Sequence, residues 1–331
     1  MSGAIKSIVA AGSGRMGCSM AVAFAYAGKP ITLLDLKDRD DAGLTAHRDG
    51  AWREINDHLE TLSRVGIIGT SDVDRLASRI QFAPLSEHAD VLAQADLVLE
   101  GVPERIEDKQ RAFRIIEAAA GENCILASTT SSFLSPELAD GLARPQQFLN
   151  AHWLNPAYMI PLVELSPHQG TAPAVTDAVK TLLEAIGKTP VICAPSPGYI
   201  VPRLQSLVMN EAARMVEEGV ASAEEVDRAV RLGFGLRYGS MGVLEFVDFG
   251  GLDILYYAGR YMAKSVDAKR FETPAIVERL MEEGNIGVRS GQGLYDWSKI
   301  DVPAYRDQII SRLAQSLRRE GLLNPPDCAL D

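Results

Sequence analysis

The sequence predicts an α/β fold, a doubly wound parallel sheet followed by an all-α region, on three observations. Short apolar runs alternate with helical patterns through the first half of the chain. The first four of those runs are apolar without alternation, as strands buried on both faces must be. Beyond Ala194-Pro195-Ser196-Pro197-Gly198 nothing strand-like follows, and helical periodicity takes over.

In order, the strands fall at Ser7–Ala11, Ile31–Asp35, Asp96–Glu100, Cys124–Ala127, Phe148–His152, Leu162–Leu165 and Pro190–Cys193. The segment Asp40–Arg79 is too long and too polar for an ordinary crossover and reads as a helical hairpin standing off the sheet. Thr171–Gly187 reads as a helix, with Pro173 in its first turn, Val175, Ala178, Val179, Leu182, Leu183 and Ile186 at helical spacing, and Gly187 at its end. The two-proline, glycine-closed stretch near 195 marks a boundary, giving a first domain over 1–195 and a second over 196–331 with a cleft available between them. Helices are expected in the second at Tyr199–Gly219, Ser222–Leu232 (with a Ser222-to-Glu225 capping box), Leu252–Ala263, Thr273–Gly284 and Pro303–Gly321.

Composition narrows the function. At 331 residues, 47% hydrophobic and 23% charged, the chain has the make-up of a globular protein of about two domains. A net charge of −11 repels polyanions, so nucleic acid is not expected as a partner. No apolar run reaches the ~18 residues of a membrane span and the first eleven residues lack a signal-peptide pattern, so a cytoplasmic protein with no membrane partner is expected. Cys18, Cys124, Cys193 and Cys328 have no metal-ligand or CxxC spacing and read as small, reduced, buried residues. No metal is expected, and His47, His58, His88 and His168 read as solvated or locally hydrogen-bonded.

The first strand leads into Gly12-Ser13-Gly14-Arg15-Met16-Gly17 and then a small-residue helix from Cys18 to Ala27. In this Rossmann-like pattern the first glycine permits the tight turn, the second lets a pyrophosphate approach the backbone, and the third lets helix pack on strand. The free N–H groups of the helix N-terminus face the phosphates. Asp35, ending the second strand, is the expected acceptor for an adenosine ribose 2′-hydroxyl and would repel a 2′-phosphate, which favours NAD over NADP. Lys37 and Arg39 nearby could compensate a phosphate.

Two further strand ends carry polar groups, Ser128-Thr129-Thr130-Ser131-Ser132 and His152-Trp153-Leu154-Asn155-Pro156, with Glu164 on the next strand. Strand ends collect in the ligand crevice of a doubly wound sheet, so a histidine there with a carboxylate to orient it is a candidate general base.

With Val102-Pro103-Glu104, Lys109, Pro161–Glu164, Pro197-Gly198-Tyr199-Ile200-Val201, Asn210-Glu211-Ala212, Leu244-Glu245 and Gly287-x-x-x-Gly291-x-Gly293-x-Tyr295, these motifs make most of the chain resemble the 3-hydroxyacyl-CoA dehydrogenase family. The resemblance implies an NAD-binding Rossmann domain, a C-terminal helical domain that forms a homodimer, and oxidation of a CH–OH group. It makes His152 the acid/base, Glu164 its orienting partner and Ser131 a hydrogen-bond donor to the reacting oxygen. It sets Asn155 near the nicotinamide, and Glu104, Lys109 and Arg289 at positions lining the cofactor. Three departures bear on the substrate. Pro202 stands where the family has an active-site asparagine. The hairpin has no lysine between Lys37 and Lys109 with which to meet CoA phosphates, though arginines remain there. The run Asn155–His168 and Gly235-Leu236-Arg237-Tyr238 resemble the lambda-crystallin branch, which implies a small free L-3-hydroxy acid, such as L-gulonate, rather than a CoA ester. Arg237, in what reads as a glycine-rich loop over 233–239, is the candidate partner of a substrate carboxylate. A dehydrogenase of 3-hydroxyacyl-CoA and a catalytically silent NAD-binding protein are the alternatives.

Overall fold

A computed structural model of the chain describes residues 5–323. Eight strands are present: β1 (Ile8–Ala11), β2 (Ile31–Leu34), β3 (Ile80–Ala83), β4 (Leu97–Glu100), β5 (Ile125–Ser128), β6 (Phe148–Trp153), β7 (Leu162–Pro167) and β8 (Thr189–Ile192). They form one sheet in the order β3-β2-β1-β4-β5-β6-β7-β8. Every neighbouring pair is parallel except β6 with β7.

The continuous apolarity of the central strands has the expected cause. Ile8 and Ala10 of β1, with Leu97 and Leu99 of β4, enter the core on one face, beside the helix Arg15–Tyr26. Val9, Ala11 and Val98 enter the core on the other, beside the helix Ile106–Ala119. Side chains alternate across a strand, so a strand covered on both sides must be apolar throughout. Because the chain leaves β1 toward one face and β4 toward the other, a crevice opens at the carboxyl ends of these two adjacent strands.

Two sequence expectations need correction here. The segment Asp40–Arg79 does contain two helices, Asp41–Arg64 and Asp72–Ala77, but the longer one does not project alone: it lies against the helix Arg15–Tyr26. Asp40 caps the long helix by accepting from the Gly43 amide at 2.7 Å. Ala51, Ile55, Leu59 and Leu62, one face at helical spacing, are buried in the same core as the fingerprint helix. The polar residues that suggested a free hairpin cover only its outer face. The strand β3 was not foreseen, because its alternating Ile80-Gln81-Phe82-Ala83 is the half-covered pattern of an edge and too short to stand out.

At the other edge, Thr189 and Cys193 donate their amides to Pro161 and Leu165 at 2.8 and 2.9 Å. Successive amides point to opposite sides of a strand, so Pro190, paired across from Val163, turns its nitrogen outward.

The chain divides into two compact units, one up to Val208 and one from Met209. The division falls inside the helix Val201–Glu217. The start of that helix belongs with the first unit, since the Ile200 and Val201 amides are hydrogen-bonded to Glu164.

Among its described residues the second unit is helical, with only isolated β-bridges at Gly287, Gln292 and Asp296. Ser222 caps the helix Ala223–Ala229 through the Glu225 amide, while the Glu225 side chain turns to Arg228, so only half of the expected capping box forms. The stretch 233–239 is not a loop. It continues that helix as a π-helical turn, Val230–Gly235, and a further helical turn, Leu236–Tyr238, despite three glycines. Asp248, buried, accepts from the amides of Leu294 and Tyr295 and from Trp297 Nε1 at 2.8–3.0 Å, which ties the glycine-rich 287–297 segment to the helix Val243–Gly250.

Cys18 and Cys124 are buried, and burial pushes their thiols up to about 12 and about 11, so both stay protonated and unreactive at neutral pH. Cys193 is half-buried, and Cys328 lies outside the described residues. Among the described residues no helix is long and apolar enough to cross a membrane.

Candidate active site

At the crevice, Gly12 has φ 119°, and a Cβ there would lie 2.7 Å from the Gly101 carbonyl oxygen. A Cβ on Gly17 would lie 1.9 Å from the Gly12 oxygen. These two glycines are therefore steric requirements of the strand-turn-helix junction. Gly14 is different: a Cβ there meets nothing within 4 Å, and Gly14 caps the helix Arg15–Tyr26 with no side-chain hydrogen bond. The bare helix terminus opens onto a cavity of about 560 Å³ whose walls include Gly12–Met16, Asp35, Gly101, Arg111 and Asn155. A concave site with unsatisfied amides and a helix N-terminus is built for a diphosphate, so these residues fit a dinucleotide.

Asp35, which lines the same cavity, is buried, and its carboxylate accepts from the Lys37 amide at 3.2 Å and from Arg39 Nε at 2.5 Å. Arg39 is thus committed to Asp35. His47, on the long helix, also lines this cavity; its Nε2 is 2.7 Å from Ser13 Oγ and 3.9 Å from Asp35. Burial holds the His47 imidazole below its usual range, against the pull of Asp35. Replacing Asp35 by serine removes the like charge facing a 2′-phosphate and releases Arg39. The kcat/KM ratio for NADP over NAD is expected to rise about tenfold or more, the equivalent of one lost charge repulsion. Steady-state kinetics with both cofactors check this, and an unchanged ratio removes Asp35 from cofactor choice.

Glu104 lies in the turn after β4, and Lys109 in the first turn of the helix Ile106–Ala119. Lys109 is 1% exposed and does not face the cavity. It lies between two carboxylates, 3.1 and 3.2 Å from the oxygens of Glu100 and 3.3 Å from Glu104. Glu100 also accepts from the Val102 amide and the Ser128 hydroxyl. Glu104 accepts from the Thr130 hydroxyl and, at 3.0 and 2.9 Å, from the amides of Ser131 and Ser132. Burial raises the Glu104 carboxyl, but the Thr130 hydroxyl, the Lys109 charge and the Ser132 amide outweigh it and hold the group below its usual range. The stability this contributes is present above the ordinary glutamate pKa and is lost as pH falls through the depressed value. The network fixes the turn after β5, where Ser131 is exposed.

His152 and Glu164 face each other across the β6–β7 ladder as a directly opposed pair. His152 Nδ1 lies 2.8 Å from Glu164 Oε2. The other carboxylate oxygen accepts from the amides of Ile200 and Val201, each at 2.9 Å. Both side chains are buried, and the His152 ring stacks on Tyr199. With Nδ1 committed to the carboxylate, Nε2 is the nitrogen left for a reacting proton.

In the helical unit, Arg289 is paired with Asp253, and the Arg237 guanidinium sits over the Phe246 ring, 4.5 Å from its centroid. The sequence did not single out His47, Gly101, Arg111 or Tyr199 for the site. Gly101 and Arg111 follow β4, the strand beside β1, and only strand order could reveal that. His47 is brought in by the inward packing of the long helix, and Tyr199 by the turn that precedes the helix Val201–Glu217. Of the remaining histidines His88 is bonded locally, to the Leu85 carbonyl, while His58 reaches Tyr158 and His168 the Pro145 carbonyl, both distant in sequence.

Comparison with known proteins matches residues 7–196 to the NAD binding domain of 3-hydroxyacyl-CoA dehydrogenase and residues 198–297 to its C-terminal domain. The chain is 35% identical over 257 residues to a lambda-crystallin homolog of Bos taurus, covering 77% of each chain. It is 27% identical over 310 residues to 5-formyl-3-hydroxy-2-methylpyridine 4-carboxylate 5-dehydrogenase of Mesorhizobium japonicum, covering 93% of this chain and 96% of that one. Among solved structures, a 3-hydroxyacyl-CoA dehydrogenase from Archaeoglobus fulgidus superposes with a TM-score of 0.74 at 30% identity, over 96% of this chain and 100% of the other.

Proposed function

The chain belongs to the 3-hydroxyacyl-CoA dehydrogenase family of NAD-dependent oxidoreductases acting on CH–OH groups, and from that premise we propose that it oxidises the hydroxyl of a small L-3-hydroxy acid, or reduces the 3-keto form. The observation that carries the reading is the buried His152–Glu164 pair, with its carboxylate on Nδ1 and its other nitrogen uncommitted.

In this reading Glu164 fixes the tautomer and plane of His152, and Nε2 takes the alcohol proton as the carbonyl forms. Glu164 compensates the cation so produced without itself giving up its place, because two backbone amides hold it. Ser131 donates to the reacting oxygen. Gly12, Ser13, Gly14, Arg15 and Met16 hold the cofactor diphosphate, Gly17 the close packing beneath it, Asp35 the ribose and Asn155 the nicotinamide end. The bound nicotinamide supplies the two-electron acceptor for the alcohol carbon.

The free acid is preferred over a CoA ester for three reasons. Pro202, in the first turn of the helix Val201–Glu217, offers no side-chain donor, and the segment 38–108 carries no lysine. A relative that matches nearly the whole chain is named for a free carboxylate. Arg237 remains the candidate partner of that carboxylate, with its stack on Phe246 as the competing structural role. Arg237→Met is expected to raise KM for the free acid about 10- to 100-fold, one charged hydrogen bond, and to leave an ester of the same acid unaffected. Equal losses on both substrates assign Arg237 to the stack alone.

The reading includes a homodimer formed through the helical unit, where Ile254, Tyr257 and Tyr261 of the helix Leu252–Ser265 are more than half exposed. It also includes a cytoplasmic location. The deciding experiment measures NADH formation with L-3-hydroxybutyrate, L-gulonate and L-3-hydroxybutyryl-CoA. Higher kcat/KM on the CoA ester reverses the substrate preference, and no turnover of any CH–OH compound supports a silent NAD-binding protein instead.

A further inference from the structure

Tyr199 has contacts that the scheme above does not use. Its ring lies parallel to the His152 imidazole, with centroids 4.8 Å and planes 6° apart. Its hydroxyl donates to the Thr130 carbonyl at 2.8 Å and accepts from Asn150 Nδ2 at 3.0 Å. Asn150 Nδ2 donates in addition to the Phe133 carbonyl at 2.9 Å. Asn150 sits two residues before His152 on β6, so both side chains stand on the same face. The backbone of Tyr199 is in the left-handed region, φ 47°, which a bulky side chain occupies only where its surroundings over-determine it. The next two amides, those of Ile200 and Val201, are the ones that hold Glu164. One turn therefore grips both members of the pair, the carboxylate through its backbone and the imidazole through its ring.

We infer that Tyr199 is a positioning residue of the His152–Glu164 pair, its ring fixing the imidazole plane and its hydroxyl tying that plane to the 130–133 turn that carries Ser131. The inference rests on the reading of His152 as the acid/base. Its physical basis is that a histidine ring has a broad torsion about its last bond. A single hydrogen bond at Nδ1 restrains the position of that atom better than the tilt of the ring. A parallel aromatic face restrains the tilt. The hydroxyl bonds set the spacing between the proton acceptor and the Ser131 donor, and misplacement of reacting groups by about 1 Å costs up to 10²-fold in rate. A tyrosine that only filled space would need neither the parallel plane nor both hydroxyl partners, and its loss would lower stability without changing the rate at each intact site.

The test compares H152Q, Y199F, Y199L and Y199M in the full chain. Two readouts are used: kcat per NADH-binding site, with sites counted by fluorescence titration, on the three substrates above; and the Nδ1–H resonance of His152 in ¹⁵N-histidine-labelled protein, assigned by its absence in H152Q. Y199L and Y199M are expected to lower kcat per site tenfold or more, to change KM for NAD less than about twofold, and to broaden or abolish the resonance. Y199F, which keeps the ring and is the variant least disturbing to the fold, is expected to retain the resonance and to lose only about three- to tenfold in kcat per site through release of the 130–133 turn. A sharp, unshifted resonance in Y199L or Y199M together with wild-type kcat per site overturns the inference. Wild-type kcat in Y199F overturns its hydroxyl half. If H152Q keeps wild-type turnover, it is the acid/base reading that fails, and the resonance still reports whether Tyr199 orders the ring.

Discussion

Replacing His152 by glutamine is expected to lower kcat by about 10² to 10⁴, the usual contribution of a positioned general base. That range corresponds to roughly 3–5 kcal/mol of barrier. Glutamine occupies similar volume and can still donate to Glu164, which also keeps its two backbone donors, so the carboxylate does not become an orphaned buried charge. His152 does not line the cofactor cavity, so affinity for NADH is expected to stay near wild type. The check pairs pre-steady-state or steady-state turnover with an NADH titration of the same sample. A variant that turns over normally takes His152 out of the reaction. One that loses NADH binding along with the rate points to a damaged fold.

Lys109→Met is expected to destabilise the first unit by about 3–5 kcal/mol, because it strips the cation from a buried carboxylate and leaves an uncompensated charge. Glu100 is fully buried, and its remaining partners, the Val102 amide and the Ser128 hydroxyl, are neutral. The double variant Glu100→Gln with Lys109→Met removes both charges and is expected to recover a substantial part of the loss, since the penalty belongs to the unpaired ion more than to the pair. Urea or thermal unfolding of wild type, single and double variants measures this. A single variant within about 1 kcal/mol of wild type shows that water reaches Glu100. Activity is expected to fall as well, because Lys109 also supports Glu104 and through it the Ser131 turn.

The sheet was legible in the sequence where burial on two faces forces unbroken apolar runs, as in Ile8–Ala11 and Leu97–Glu100. It was not legible at β3, where an edge position relaxes that demand. Gly233, Gly235 and Gly239 suggested a loop, yet the stretch is helical: glycine costs only about 1 kcal/mol in a helix, a cost its neighbours can offset. Strand ends and motifs were enough to name candidate site residues, because topology sends strand ends to one crevice, and Gly12–Met16, Asp35 and Asn155 do line one cavity. What could not be found were contacts set by packing across long sequence distances, His47 against Ser13 and Tyr199 against His152, and the inward turn of Lys109 between Glu100 and Glu104, which depends on how the start of its helix faces the sheet.

The outward nitrogen of Pro190 bears on the behaviour of the protein in concentrated solution. An open sheet edge is a template, and a strand from a second molecule could extend it by docking on the unpaired amides and carbonyls. At β8 the donor expected at the midpoint of that edge is missing, and the run open to a newcomer is only four residues long. A docking strand would find an acceptor facing ring carbons, lose a hydrogen bond it had already given up water to make, and meet the proline ring where its own backbone should lie. That one imino acid discourages growth of the sheet at this edge at no expense to the hydrogen bonds with β7, because the β8 amides that point toward β7 belong to the residues on either side of Pro190. The exposed, β-branched Ile192 thus ends an edge strand that offers one outward donor fewer to an intermolecular sheet.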